Sequence, residues 1–194
     1  MDISPLIPIL EKRIYRDEWR VGWFQSDRDV DIEGYDCKLL MYGHSRHFSR
    51  TKPFLLSRLF TINLLPYSAA AMVFQVDYID ISYIEGLIKA IKRFMASKKI
   101  ETPEKIEWGI DIAYVAVFTE EMGRGVEDYI NDFFISEIDD QYMLSEGFSG
   151  KLKKKIGLVL VNLSDKKFLR GRDMFSKEAV RLFDVKRILK KWPL

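Results

Sequence analysis

From residue 70 onward, strand-like and helix-like stretches alternate three times, and that order restricts the fold more than anything else in this 194-residue chain. AAMVFQVD, residues 70–77, is a short apolar run of strand length. Ser82 then opens a helix and Glu85 completes a capping box. Ile84, Leu87, Ile88, Ile91 and Met95 follow at helical spacing as one apolar stripe. Ile106 to Phe118 is rich in aromatic and β-branched residues and predicts one long strand. Beyond Gly123 and Gly125, Val126, Tyr129, Ile130, Phe133, Phe134 and Ile138 make a second helical stripe. IGLVLVNL, residues 156–163, is apolar on both faces, as in a central strand covered on two sides. Ser176 is expected to cap a final helix that turns Ala179, Leu182, Phe183, Leu189 and Trp192 inward.

Alternation of this kind implies crossover connections and a largely parallel arrangement. The expected class is therefore α/β: a mixed, mostly parallel sheet, with helices packed on one or both faces and an antiparallel N-terminal edge. Arg20 to Gln25 and Cys37 to Tyr42 predict the two strands of that edge, joined by the polar stretch SDRDVDIEGY. Leu6 to Ile14 predicts a short helix with Pro5 in its first turn, and Pro53 to Phe60 predicts another that Pro66 ends. Nothing marks a domain boundary, so residues 1–194 are expected to form one α/β domain whose regular part runs over about 70–190. SEGFSGKLKKK is the expected connection into the last strand, and its SEGFSG part is the expected flexible point.

A chain of this length can bury roughly 70% of its unfolded surface, and needs neither disulfide nor metal to hold a core. Its one cysteine, Cys37, has no internal partner. The N-terminus has an early acid and two prolines where a signal peptide would be basic and then apolar. The most apolar window, Pro53 to Val76, is interrupted by Arg58, Asn63, Pro66 and Gln75. A cytoplasmic chain with no membrane partner is the expectation.

Charge is sorted along the sequence. Residues 151–194 hold 14 Lys and Arg against four acids, whereas residues 101–146 hold 13 acids and two bases. Clustered cations displace condensed counterions from a phosphate backbone, so the basic third, with Arg170 and Arg172 in it, points to a nucleic-acid partner, DNA or RNA. The same asymmetry would also serve a homo- or hetero-oligomer that docks opposite charges.

Both histidines lie in GHSRHFSRTK. His44, Arg46, His47, Arg50 and Lys52 interleave there with hydroxyl groups and Phe48, which suits phosphate contact and base stacking. A second candidate cluster comes from the rule that ligands of open α/β sheets bind beyond the carboxyl ends of the strands. Asp77, Asp80 and Asp165 follow predicted strands, as do Glu120 and Glu121. Oxygen ligands of this type hold hard cations such as Mg2+. If the chain is an enzyme, metal-dependent phosphoryl transfer of nuclease or polymerase type is the expected chemistry, with Asp77, Asp80 and Asp165 as ligands.

MVFQVDYID resembles the acid-bearing strand of archaeal-type primases, with Gln75 where the first acid would stand. Asp29 or Asp31 followed by Asp36-Cys37-Lys38 resembles a PD-(D/E)xK nuclease core with a shortened gap. Each likeness covers one short stretch and neither identifies the chain. Walker A, GxGxxG, GxSxG and HExxH motifs are absent. The expected function is nucleic-acid association through basic surfaces, and its rival from another class is a non-catalytic assembly subunit.

Overall fold

The computed structural model describes residues 2–16, 21–44, 50–51, 62–63, 67–101, 105, 107–136 and 155–192. A 3-10 turn, Ser4–Leu6, runs into α1, Ile7–Arg16, and is followed by β1, Gly22–Ile32, and β2, Tyr35–His44. The short strands β3, Arg50–Thr51, and β4, Ile62–Asn63, pair with each other. Then come β5, Ser68–Ile79, α2, Ile81–Ser97, and the small antiparallel pair β6, Lys99–Glu101, with β7, Glu107–Gly109. The chain continues through β8, Ile112–Met122, α3, Val126–Ser136, β9, Lys155–Asn162, and β10, Lys167–Arg170. It finishes with α4, Met174–Leu182, and α5, Val185–Lys191. The helix expected over Pro53–Phe60 and the SEGFSGKLKKK link as far as Lys154 lie outside the described residues.

Six strands form one mixed sheet in the order β1-β2-β5-β8-β9-β10. The β5–β8 and β8–β9 pairs are parallel, and the other three pairs are antiparallel. Strands added in one direction through crossovers of one hand put their helices on one face. Accordingly α2 and α3 share a core with Ala70, Met72, Phe74, Val115, Val117 and Leu160. On the other face α1, α4 and α5 pack over Ala71, Val73, Ala116, Phe118, Val159 and Val161. The α/β fold is thus three-layered. Strands covered on both sides explain why the central stretches of β5, β8 and β9 are continuously apolar rather than alternating.

Several local expectations are corrected. SDRDVDIEGY is not a loop: β1 continues through it to Ile32, which pairs with Tyr35 across a two-residue turn. Glu33 and Gly34 both have positive φ there, 53° and 90°, the geometry that matches the twist of a hairpin. The charges misled because β1 is an edge strand whose Gln25, Arg28, Asp29 and Asp31 face water. The run expected as one strand from Ile106 to Phe118 breaks into β7 and β8 around Ile110 and Asp111.

Helix starts move as well. Asp80, not Ser82, caps α2 by accepting the Tyr83 N–H at 2.7 Å, and Glu85 instead accepts the Tyr129 hydroxyl. Asp173, not Ser176, caps α4, accepting the Ser176 N–H at 2.8 Å and the Ser176 hydroxyl at 2.5 Å. The Ser176 oxygen in turn accepts the Leu158 N–H, which ties α4 to β9 where β10 no longer reaches. The single final helix is two, broken at Asp184, whose φ of 49° no α-helix interior allows.

Candidate polyanion-binding surface

The two clusters singled out in the sequence occupy opposite ends of the sheet. β5 runs from Ser68, beside His44, to Asp77, nine residues and about 30 Å further along a strand. No single small-molecule site can hold both.

At the amino end, His44 Nδ1 lies 3.1 Å from Ser68 Oγ, and the imidazole tilts against Trp108 at 4.9 Å between centroids. Asp111 Oδ2 accepts the Ser68 backbone N–H at 3.0 Å. Serine, histidine and aspartate thus meet, but not as a nucleophilic relay. Ser68 is fully buried, and this carboxylate oxygen serves the backbone of the serine. The contacts join β2, β5 and β8, and they turn the His44 ring inward, half-buried. Arg46, His47 and Lys52 lie outside the described residues, as does the side chain of Arg50.

At the carboxyl end the acids do gather along one edge of the sheet, but in separate roles. Asp80 is the α2 cap. Asp165 sits in the turn after β9, where its carboxylate accepts Asn162 Nδ2 at 3.1 Å and its N–H donates to Asn162 Oδ1 at 2.8 Å. Asn162 continues the Leu158, Leu160 set that faces α2 and α3. Asp77 belongs instead to the Ala69, Ala71, Val73 set, on the opposite face and two strands away. Side chains that leave opposite faces of the sheet do not converge on one ion bound near 2.1 Å. Among the described residues, no three of His, Cys, Asp or Glu stand where they could hold a metal ion.

The capping role makes a direct prediction. Asp80→Ala should lower stability by about 1 kcal/mol in urea unfolding, through the lost cap. Asp77→Ala, at an exposed position that caps no helix, should cost less than Asp80→Ala. Equal losses would contradict the capping assignment.

A different surface carries the charge. On α1, the buried side is Ile7, Leu10 and Ile14, and Lys12 and Arg16 stand on the opposite side, one turn apart. On α4, Ser176, Ala179 and Leu182 are buried while Met174, Lys177 and Arg181 face out. On α5, Val185, Ile188 and Leu189 are buried while Lys186, Arg187, Lys190 and Lys191 face out. The exposed positions of these three helices hold eight cations and no acid.

The acids of the same helices are already engaged. Glu11 accepts the Ser26 hydroxyl and the Arg28 guanidinium, both at 2.5 Å, which hold its carboxyl below the ordinary carboxylate range. Glu178 accepts the Tyr114 hydroxyl at 2.9 Å. Asp184, at the corner between α4 and α5, lies 4.0 Å from Arg13 Nε and 3.9 Å from Arg187 Nη1. That corner also shows that α1 is a neighbour of the C-terminal helices, so the cations form one layer. The opposite layer differs: exposed Lys89, Lys92 and Arg93 of α2 are mixed with Glu85, Glu127 and Asp128, and Arg93 pairs with Glu33.

No family model, curated protein or solved structure matches this chain.

Within that surface, two expected contacts change rank. Arg170 is half-buried on edge strand β10, its Nη1 donating to the Gly171 carbonyl at 2.8 Å, while Arg172 is exposed just before α4. Lys12 and Arg16 went unnoticed in the sequence. Their i,i+4 spacing opposite an apolar stripe was legible, but not that α1 would share one face of the sheet with α4 and α5. Among the described residues no helix is long and apolar enough to cross a membrane.

Proposed function

We propose that this protein binds the phosphate backbone of nucleic acid through the outer surface of the α1, α4 and α5 layer. The observation that carries the proposal is one-sidedness: the exposed positions of three helices on one face of the sheet hold eight cations and no acid, and the half-buried Glu11 and Glu178 turn to Ser26, Arg28 and Tyr114 of the sheet. An exposed face with cations in excess of acids displaces counterions from a phosphate backbone, which is the main source of non-specific affinity for nucleic acid. The acidic carboxyl edge, with Asp77, Glu121 and Asp165 exposed, repels the same ligand and so leaves the helical layer as its landing surface. Phosphoryl transfer at Asp77, Asp80 and Asp165 forms no part of the proposal, because those carboxylates stand apart.

The test is fluorescence anisotropy of labelled oligonucleotides across a salt series. The triple variant Lys177→Glu, Lys186→Glu, Lys190→Glu should weaken binding at low salt by at least about tenfold. It should also flatten the log–log salt dependence by about 2.7 units, if each lysine meets one phosphate of a duplex. An unchanged slope in a variant with wild-type circular dichroism would rule out the layer as the contact. Salt-sensitive self-association of a wild type that binds no oligonucleotide would make the protein an assembly subunit.

A further inference from the structure

We infer that the layer takes double-stranded nucleic acid by its backbone alone, without sequence preference; this rests on the phosphate-binding proposal. Reading base edges requires Asn or Gln amides, or arginine forks carried into a groove. The exposed positions of α1, α4 and α5 hold neither Asn nor Gln. Nor does any of these helices stand clear of the body. Each is packed along its apolar side, and the α4–α5 corner at Asp184 abuts Arg13 of α1. A helix about 10–12 Å across can enter a major groove about 12 Å wide only if its neighbours are out of the way. Side-by-side helices present a broad face that meets phosphates first.

The choice of duplex over single strand comes from what the layer lacks in rings. Proteins that hold single strands stack bases on exposed aromatic side chains along a basic groove. The one exposed ring on these helices is Tyr15. It lies four residues after Glu11 and on the same side, the side that Glu11 turns to Ser26 and Arg28 of β1. The outward positions of α4 and α5 carry only Met174 and cations. A rigid duplex with one charge per about 1.7 Å of axis offers such a face the densest array of phosphates and asks for no stacking.

The experiment measures affinity of the full chain for two duplexes of equal length and unrelated sequence, and for one strand of each, at two salt concentrations. Expected are duplex affinities within about threefold of each other, single strands weaker by at least about threefold, and equal loss on both duplexes in the Lys177→Glu, Lys186→Glu, Lys190→Glu variant. A larger difference between the two duplexes overturns sequence independence. Single strands bound more tightly than that limit overturn the choice of duplex. Both of those results leave phosphate binding standing, whereas no binding to any oligonucleotide at low salt removes it and this inference together.

Discussion

At pH 8, Cys37 should react with iodoacetamide at least about a thousandfold more slowly in the folded protein than in the same chain unfolded in urea. The thiol is fully buried at the start of β2, where its Sγ donates to the Leu39 carbonyl at 3.2 Å. Burial pushes its pKa from 9.0 up to about 12, so the reactive thiolate becomes about three decades scarcer at this pH. Exclusion of the reagent adds to that, and the residual reaction reports opening of the β2–β5 pairing. The shift also sets a direction for stability. Above the unfolded value near 9, the unfolded chain loses the proton that the folded chain keeps. Stability therefore falls as pH rises from about 9 toward 12. Half-buried Tyr83, raised to about 12 chiefly by desolvation, acts in the same sense. Alkylation of the folded protein within about tenfold of the unfolded rate would show that the thiol is reachable.

Gly157→Ala should cost about 3 kcal/mol or more, the largest loss expected for the addition of one methyl group here. Its Cβ would stand 2.3 Å from the Phe175 carbonyl oxygen and 2.4 Å from the carbonyl carbon, and 2.9 Å from the Ser176 nitrogen. All three are backbone atoms and cannot rotate away. Relief requires α4 to lift from β9, which breaks the Leu158–Ser176–Asp173 chain of buried hydrogen bonds. Gly109→Ala is the control, since nothing lies within 4 Å of its added Cβ, and it should change stability by less than about 0.5 kcal/mol. Urea midpoints measure both, and Cys37 alkylation in the mutant should quicken as global opening becomes easier. A loss below about 1 kcal/mol at Gly157 would mean that α4 yields readily, and the cations it carries would then lack a rigid support.

Local patterns in the chain were enough for the alternation of β5, α2, β8, α3, β9 and α4, though not for β6, β7, β10 or the break before α5, because 3.6-residue and uninterrupted apolar periodicities come from which side chains must leave water. They were also enough for the mixed sheet, since helices between strands force parallel crossovers. Two kinds of feature escaped. The second half of edge strand β1 read as polar connection because one side of it faces water, and the four-residue edge strand β10 had no expectation at all. Helix caps shifted by two or three residues, from Ser82 to Asp80 and from Ser176 to Asp173, because several polar residues near a helix start can each serve.

The candidate site divides in the same way. That cations crowd the last third of the chain is a property of the sequence, and so is the amphipathic spacing that pushes Lys177, Lys186 and Lys190 outward. Which acids would oppose them was decided only in three dimensions. Glu11 is taken by Ser26 and Arg28 of β1, and Glu178 by Tyr114 of β8, partners 15, 17 and 64 residues away. The separation of Asp77 from Asp165 is likewise tertiary. Strand order places β8 between them, and side-chain alternation sends Asp77 and Asn162 to opposite faces. Periodicity is a local consequence of burial, whereas proximity depends on how the strands pair, and pairing is chosen by the packing of the whole sheet against both helical layers.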